Sequence, residues 1–305
     1  MAATAVSLLG VDLGTSSVKV VVTDAEGRAL GQAARPYRVE SANPGWAESD
    51  PRAWWRETVT AVREAVARAN ESGAAPPSAV GLSGQMHGVV LVDERLGPVR
   101  PAILWADVRA AAVMHAYDRL DRDAMARLAN PVFPGLAGPI LLWLSEFEPS
   151  VLAGARWALQ PKDWLRARMS GEVRAEPSDA SATLLYDVAG DRWDLGVVEA
   201  LGLDAGLLAP LLPSAAAVAG RLTASAAAEL GLPAGLPVAA GAGDTAAAVL
   251  GSGVFGASDI QLTVGTGAQV IRPLAAPVNR AEAGVHLFRL ASPSGWYQMG
   301  ATLSA

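Results

Sequence analysis

The 305-residue sequence contains no cysteine, which excludes disulfides, thiol nucleophiles, zinc–thiolate sites and iron–sulfur clusters, and biases the compartment toward a reducing cytoplasm. Histidine is scarce as well. His87, His115 and His286 stand far apart, so no HExxH pair or other short-spaced metal cage can be assembled from them. Lysine is nearly missing, with Lys19 and Lys162 the two among 24 basic residues. Neither belongs to a Walker A loop or to a protein-kinase Val-Ala-Ile-Lys context, and no His-Arg-Asp occurs. Residues 1–10 lack the basic start of a secretion signal, and Asp12 interrupts the apolar run at once. The uncharged stretch 128–145 is broken by Pro131, Pro134 and Pro139 and cannot be a continuous spanning helix. A net charge of −6 argues against a broad nucleic-acid surface. These absences predict a soluble, cytoplasmic protein with neither nucleic acid nor membrane as partner.

What is present is a chain with 51% hydrophobic content, long enough for about two domains. Residues 8–13 and 18–22 read as strands around a Gly14-Thr15-Ser16 turn, with a third strand over 28–34. Asp50 as N-cap and Pro51 at the first position open a helix with the stripe Trp55, Val59, Val62 and Val66, ended by Gly73. Strands over 79–82 and 89–92 flank a polar loop, Ser83-Gly84-Gln85-Met86-His87-Gly88, whose glycines suit close approach to a ligand. Helical patterns follow over 136–147 and 163–169. A turn-rich run then gives way to a glycine-rich strand region, which places a domain boundary between 1–234 and 235–305.

Residues 11–20 align without gaps to residues 262–271, each an apolar strand, a Gly-Thr turn and an apolar strand. Two such hairpins suggest duplicated halves facing one nucleotide, because turn N–H groups and a hydroxyl can cradle phosphate oxygens without a Walker lysine. Asp12, ending the first strand, fits a carboxylate that shares a Mg2+ ion with those phosphates; a turn aspartate capping its own loop is the plainer account. Lys19 is within reach of a phosphate or simply faces solvent. Asp244 follows Gly241-Ala242-Gly243 and heads an alanine-rich helix. It is either that helix's N-cap, kept ionised by the helix terminus, or a general base for a substrate hydroxyl.

Six segments occur in the order found in the FGGY carbohydrate kinases. They are Asp12-Leu13-Gly14-Thr15-Ser16-Ser17-Val18-Lys19, Ser83-Gly84-Gln85-Met86-His87-Gly88, Ile103-Leu104-Trp105-Ala106-Asp107-Val108-Arg109, Pro161-Lys162-Asp163-Trp164-Leu165, Ser178-Asp179-Ala180-Ser181 and Gly241-Ala242-Gly243-Asp244. The chain resembles that family over essentially its whole length. The Gln-Met-His-Gly loop is most similar to the xylulose-phosphorylating branch; glycerol kinases carry Arg-Glu where Met86-His87 stand.

The resemblance implies an α/β, actin-like (ribonuclease-H-like) ATPase fold with the first domain complete and the second partial. It implies ATP-dependent phosphorylation of D-xylulose to D-xylulose 5-phosphate, with ATP and Mg2+ as cofactors. It makes Asp244 the catalytic base and Gln85, Met86 and His87 the sugar loop, with Trp105, Asp107 and Arg109 lining the sugar pocket. Gly14, Thr15, Ser16, Lys19, Gly265 and Thr266 would bind ATP phosphates, and Asp12 would organise the metal. Thr245 stands where xylulose-phosphorylating members commonly have Asn. Residues 235–305 are too few to complete a second domain, so open strand edges and self-association are expected, with weak nucleotide binding. A kinase for another sugar, or a non-catalytic sugar-binding fragment, are the alternatives.

Overall fold

The computed structural model describes residues 6–254, 256, 258–264, 268–278 and 284–302. The chain opens with β1 (Ser7–Leu13), β2 (Ser17–Asp24) and β3 (Ala29–Pro36), an antiparallel meander. Period-two alternation puts Leu9, Val11 and Leu13 of β1 and Val18, Val20 and Val22 of β2 into one core. Helix α1 (Pro51–Glu71) packs on β2 and β3. Asp50 caps it by accepting the Arg52 N–H, and Pro51 occupies the first turn, where its missing donor costs nothing. The return strand β4 (Pro77–Gly84) lies parallel to β1.

Helices α2 (Pro161–Ser170) and α3 (Pro177–Ala180) follow, then β5 (Val218–Arg221), β6 (Pro237–Ala239) and β7 (Ala242–Gly243). The sheet order is β5–β6–β4–β1–β2–β3, with β7 continuing beyond β6 along β4. Helix α4 (Asp244–Gly251) leads away to a second antiparallel sheet of β8 (Gln261–Val264), β9 (Ala268–Leu274), β10 (Val285–Arg289) and β11 (Trp296–Thr302), ordered β8–β9–β11–β10. Three antiparallel strands, a helix and a parallel fourth strand form the start of the expected actin-like α/β domain. Residues 237–243, which composition assigns to the second domain, are hydrogen-bonded into the first sheet.

Both hairpins of the internal echo form, but not in one register. Asp12 faces Lys19 in the first, whereas the aligned Thr263 faces Gln269, one residue short of Val270. At the sheet edge β8 and β9 leave Leu262, Val264 and Val270 exposed, an uncovered apolar patch. Among the described residues no helix is long and apolar enough to cross a membrane.

The buried face of α1 matches its expected stripe in part. It runs through Trp54, Trp55, Thr58, Ala61, Val62, Ala65 and Ala69, so Trp55 and Val62 of the stripe are buried while Val59 and Val66 are only partly covered. Small alanines let the helix settle onto the sheet at Gly31, where an added Cβ would stand 2.2 Å from the Ala65 carbonyl oxygen and 2.6 Å from the Ala69 nitrogen. These are backbone atoms that no rotamer change can move. Gly31→Ala is therefore expected to cost about 1–3 kcal/mol or more by overpacking, read as a lower urea midpoint at unchanged m-value. An unchanged midpoint would mean that helix and sheet are not in hard contact there.

Candidate active site

Three parallel strands end in one row. Gly84 of β4 pairs with Leu13 of β1 on one side and Gly243 of β7 on the other, and Asp12, Ser83 and Ala242 form the row beneath. The residues that follow are Gly14-Thr15-Ser16, Gln85-Met86-His87 and Asp244. Segments 71 and 230 residues further along the chain than the Gly14 turn thus leave the same sheet edge, the carboxyl ends of strands where α/β sheets hold ligands. The space at Gly84 is tight: a Cβ there would lie 3.2 Å from the Leu13 carbonyl and 3.1 Å from Lys162 Cβ, so the neighbours would have to give by a few tenths of an ångström.

The Gly14 turn is fastened from several sides. Gly14 N–H donates to the Ser17 carbonyl at 3.0 Å. Its own carbonyl accepts from the Tyr37 hydroxyl and, at 3.2 Å, from Gln85 Nε2. Thr15 Oγ1 accepts from Trp105 Nε1 at 2.9 Å. That bond occupies an oxygen lone pair and leaves the Thr15 hydroxyl hydrogen for an incoming acceptor such as a phosphate oxygen. Ser16 is exposed beside it. Asp12 accepts from Ser83 Oγ at 3.1 Å, and exposed Lys19 stands 4.0 Å from its other oxygen, a loose surface pair. Gly265 and Thr266 lie outside the described residues, though β8 and β9 on either side of them are in place.

The Gln85-Met86-His87 loop has a strained centre. His87 adopts φ 74°, a region rare for non-glycine residues. Its Nδ1 lies 3.1 Å from the Ala182 carbonyl. A carbonyl can only accept, so Nδ1 carries the hydrogen and Nε2 keeps its lone pair. Burial, assisted by His286 and opposed by the Ala182 bond, pulls the ring's pKa down to about 4, so it is neutral at physiological pH. Met86 wedges against β7, since a Cβ on Gly243 would stand 2.7 Å from Met86 Cγ. The Tyr297 hydroxyl donates to Met86 Sδ at 3.9 Å.

Trp105 joins this group through Thr15, but Asp107 and Arg109 do not open onto it. Their side chains are 0% and 1% exposed and bind one another at 2.8 Å. Asp107 also accepts the Ala47 N–H, while Arg109 reaches Glu48 at 2.7 Å and stacks over Trp46.

Asp244 is not the N-cap of α4. Gly243 holds that position, and Asp244 is the first helical residue, its Oδ1 accepting from Thr245 N–H at 2.7 Å and Thr245 Oγ1 at 3.3 Å. The carboxylate reaches solvent, yet protein crowds it from most directions. That burial, opposed by the Thr245 N–H and reinforced by the negative charge of Asp12, pushes it up to about 6, in place of the stabilised ion expected from the helix terminus alone.

Residues unmarked by any motif complete the wall. Phe288 and Tyr297, from β10 and β11, lie 5.6 Å apart, and Phe288 faces His87 at 5.8 Å. Asn130, buried, donates to the Leu287 carbonyl at 2.9 Å and accepts the Leu287 N–H at 2.9 Å, bonding β10 to the first domain as a pairing strand would. A polar residue beside Pro131 in an uncharged run was the one available sign of it. Among the described residues no group of three or more His, Asp or Glu could hold a metal ion by itself. Asp12 with Asp244 near it suits Mg2+, which binds through one or two carboxylates and otherwise through water and phosphate.

Residues 7–251 match the N-terminal domain of the FGGY family of carbohydrate kinases. The chain is 34% identical over 297 residues to the xylulose kinase of Escherichia coli strain K12, covering 97% of this chain and 60% of that protein. It is 30% identical over 299 residues to the xylulose kinase of Bacillus subtilis strain 168, covering 98% and 60%. The structure of a xyloylose kinase from Brucella ovis superposes with a TM-score of 0.92 at 36% identity, covering 98% of this chain and 61% of the other. The chain thus spans about three-fifths of the length of the relatives it matches.

The electrostatics make a direct prediction. A carbon-detected NMR titration should find the Asp244 carboxyl near 6, and Asp12→Asn should lower that value, since a neighbouring negative charge is one of its causes. An Asp244 titration indifferent to Asp12→Asn would mean the two carboxylates do not share a field.

Proposed function

The chain belongs to the FGGY family of carbohydrate kinases, and on that premise we propose that the protein phosphorylates D-xylulose with ATP, using Asp244 as general base. The observation that carries this reading is the common strand edge on which the Gly14 turn, the Gln85–His87 loop and Asp244 stand together. Phosphoryl transfer demands little covalent chemistry from a protein and much positioning, and one edge presents all three parts.

Asp244 accepts the proton of the sugar hydroxyl as its oxygen bonds to the γ-phosphorus and the bond to the β–γ bridging oxygen breaks, ADP leaving with that electron pair. A carboxylate near 6 is mostly ionised at pH 7 and a stronger base than an ordinary aspartate, so proton transfer is better matched. His87 Nε2 accepts from a sugar hydroxyl, and Met86, Phe288 and Tyr297 exclude water from that side. Gly14, Thr15, Ser16 and Lys19 receive phosphate oxygens, as do Gly265 and Thr266 by homology of pattern. Asp12 would hold Mg2+, which when bound neutralises charge on the phosphates. We assign Asp107 and Arg109 to stiffening the wall beneath Trp105 rather than to touching sugar. We place the passage between domains in α4.

A coupled assay of ADP formation across a ketose panel tests the substrate, with D-xylulose expected to give the highest kcat/KM. Asp244→Asn is expected to lower kcat by ~10²–10⁴ with sugar affinity nearly unchanged by calorimetry. Parental turnover would leave Asp244 as no more than the first residue of its helix. His87→Ala should weaken ketose binding and spare nucleotide affinity; equal losses for both ligands would make His87 a support of the fold.

A further inference from the structure

Two of the recurring segments, Pro161-Lys162-Asp163-Trp164-Leu165 and Ser178-Asp179-Ala180-Ser181, contribute nothing to the reaction as described. The structure brings them against each other and against the strand that delivers Asp244. Lys162 Nζ, fully buried, lies 2.6 Å from Asp163, 3.4 Å from Glu176 and 3.5 Å from Asp179. Arg166 Nη1 lies 2.6 Å from the same Asp163 oxygen. Both cations also donate to the Ala240 carbonyl, Arg166 at 2.7 Å and Lys162 at 3.4 Å. Glu176 accepts from the Ser178 N–H and hydroxyl at 2.9 and 2.8 Å, and Ser178 Oγ in turn accepts the Gly243 N–H at 3.1 Å.

The segment 240–243 is thus gripped at both ends from one dry cluster. Between the grips, Gly241 sits at φ 75°, where a Cβ would stand 2.4 Å from the Leu82 carbonyl, so the strand interruption between β6 and β7 is backbone-tight. Three acids face two cations. Asp179, whose oxygens accept no hydrogen bond, is the group that burial pushes well above the usual carboxylate range, against the pull of the Lys162 ammonium.

We propose that Ser178 is a positioning residue for Asp244, holding the Gly243 amide from a platform that the Lys162–Asp163–Arg166–Glu176 cluster makes rigid. The proposal rests on the reading of Asp244 as base. Without the Ser178 oxygen, Gly243 gains freedom, and the helix start carrying the carboxylate gains it too. Misplacement of a reacting group by a fraction of an ångström to an ångström is enough to cost roughly tenfold to a hundredfold in rate.

Lys162→Met would strand buried carboxylates and endanger the whole domain, so the test uses Ser178→Ala. Two readouts separate anchoring from catalysis. Exchange of the Gly243 amide, followed by NMR, should accelerate at least about tenfold while the amides of Val11 and Leu13 keep their protection. In the active enzyme kcat should fall roughly tenfold to a hundredfold with KM for the ketose unchanged, and Ser178→Ala should add nothing to Asp244→Asn. Unchanged Gly243 exchange, or an additive loss in the double variant, overturns the proposal. Parental turnover in Asp244→Asn alone would sink the base assignment while leaving the Gly243 exchange result to decide the anchoring.

Discussion

Backbone hydrogen bonding of β4 to two parallel neighbours at once is the constraint on which the site depends. Because Gly84 pairs with Leu13 and with Gly243, the three loops that follow begin at one level and point one way. Side-chain period is two along each strand, so a slip of one residue in either pairing would turn Asp12 or the start of α4 to the opposite face. The register therefore sets the geometry of the candidate site, and the glycines there let the strands and the Met86 loop close up. Gly241 admits the Leu82 carbonyl to a distance no Cβ would allow, Gly243 admits Met86, and Gly84 leaves only tight room beside Leu13 and Lys162.

The buried ionic cluster beneath this row is costly. Removing charges from water costs several kcal/mol per ion before pairing returns any of it, and apolar packing of equal volume often gives greater stability. What apolar packing cannot supply is direction. Burial works against the Lys162 ammonium, yet Asp163, Glu176 and Asp179 outweigh it and keep it charged. Lys162 then joins Arg166 as a second charged donor to the Ala240 carbonyl, fixing it from two side chains.

Local pattern was legible where local physics decides. Alternation over 8–22 gave the hairpin because those strands bury one face, and Asp50-Pro51 gave the start of α1 because capping is a matter of adjacent residues. The stripe of α1 was set on Trp55, Val59, Val62 and Val66, of which Trp55 and Val62 are buried, whereas contact with Gly31 brings in Ala65 and Ala69, a choice made by the sheet. The Gly-Thr echo identified a second hairpin and missed its register, since pairing depends on a connection one residue tighter. At the site, the motifs named Asp12, the Gly14 turn, Met86, His87 and Asp244, all within short segments. Trp105 on Thr15, Met86 on Gly243 and Asn130 on β10 join residues 90 to 157 positions apart, and spacing carries no trace of them. Asp244 read as a cap because Asp before an alanine run is the usual cap; Gly243 holds that place, and crowding rather than the helix sets the acid's charge.

Met86 lies against Gly243, the residue before Asp244, and accepts from the Tyr297 hydroxyl of the second sheet. One thioether side chain therefore ties the loop after β4 to the end of β7 and to β11. Trimming residue 86 would release Gly243 as well, so the loop after β4 and the start of α4 cannot be altered apart at this position.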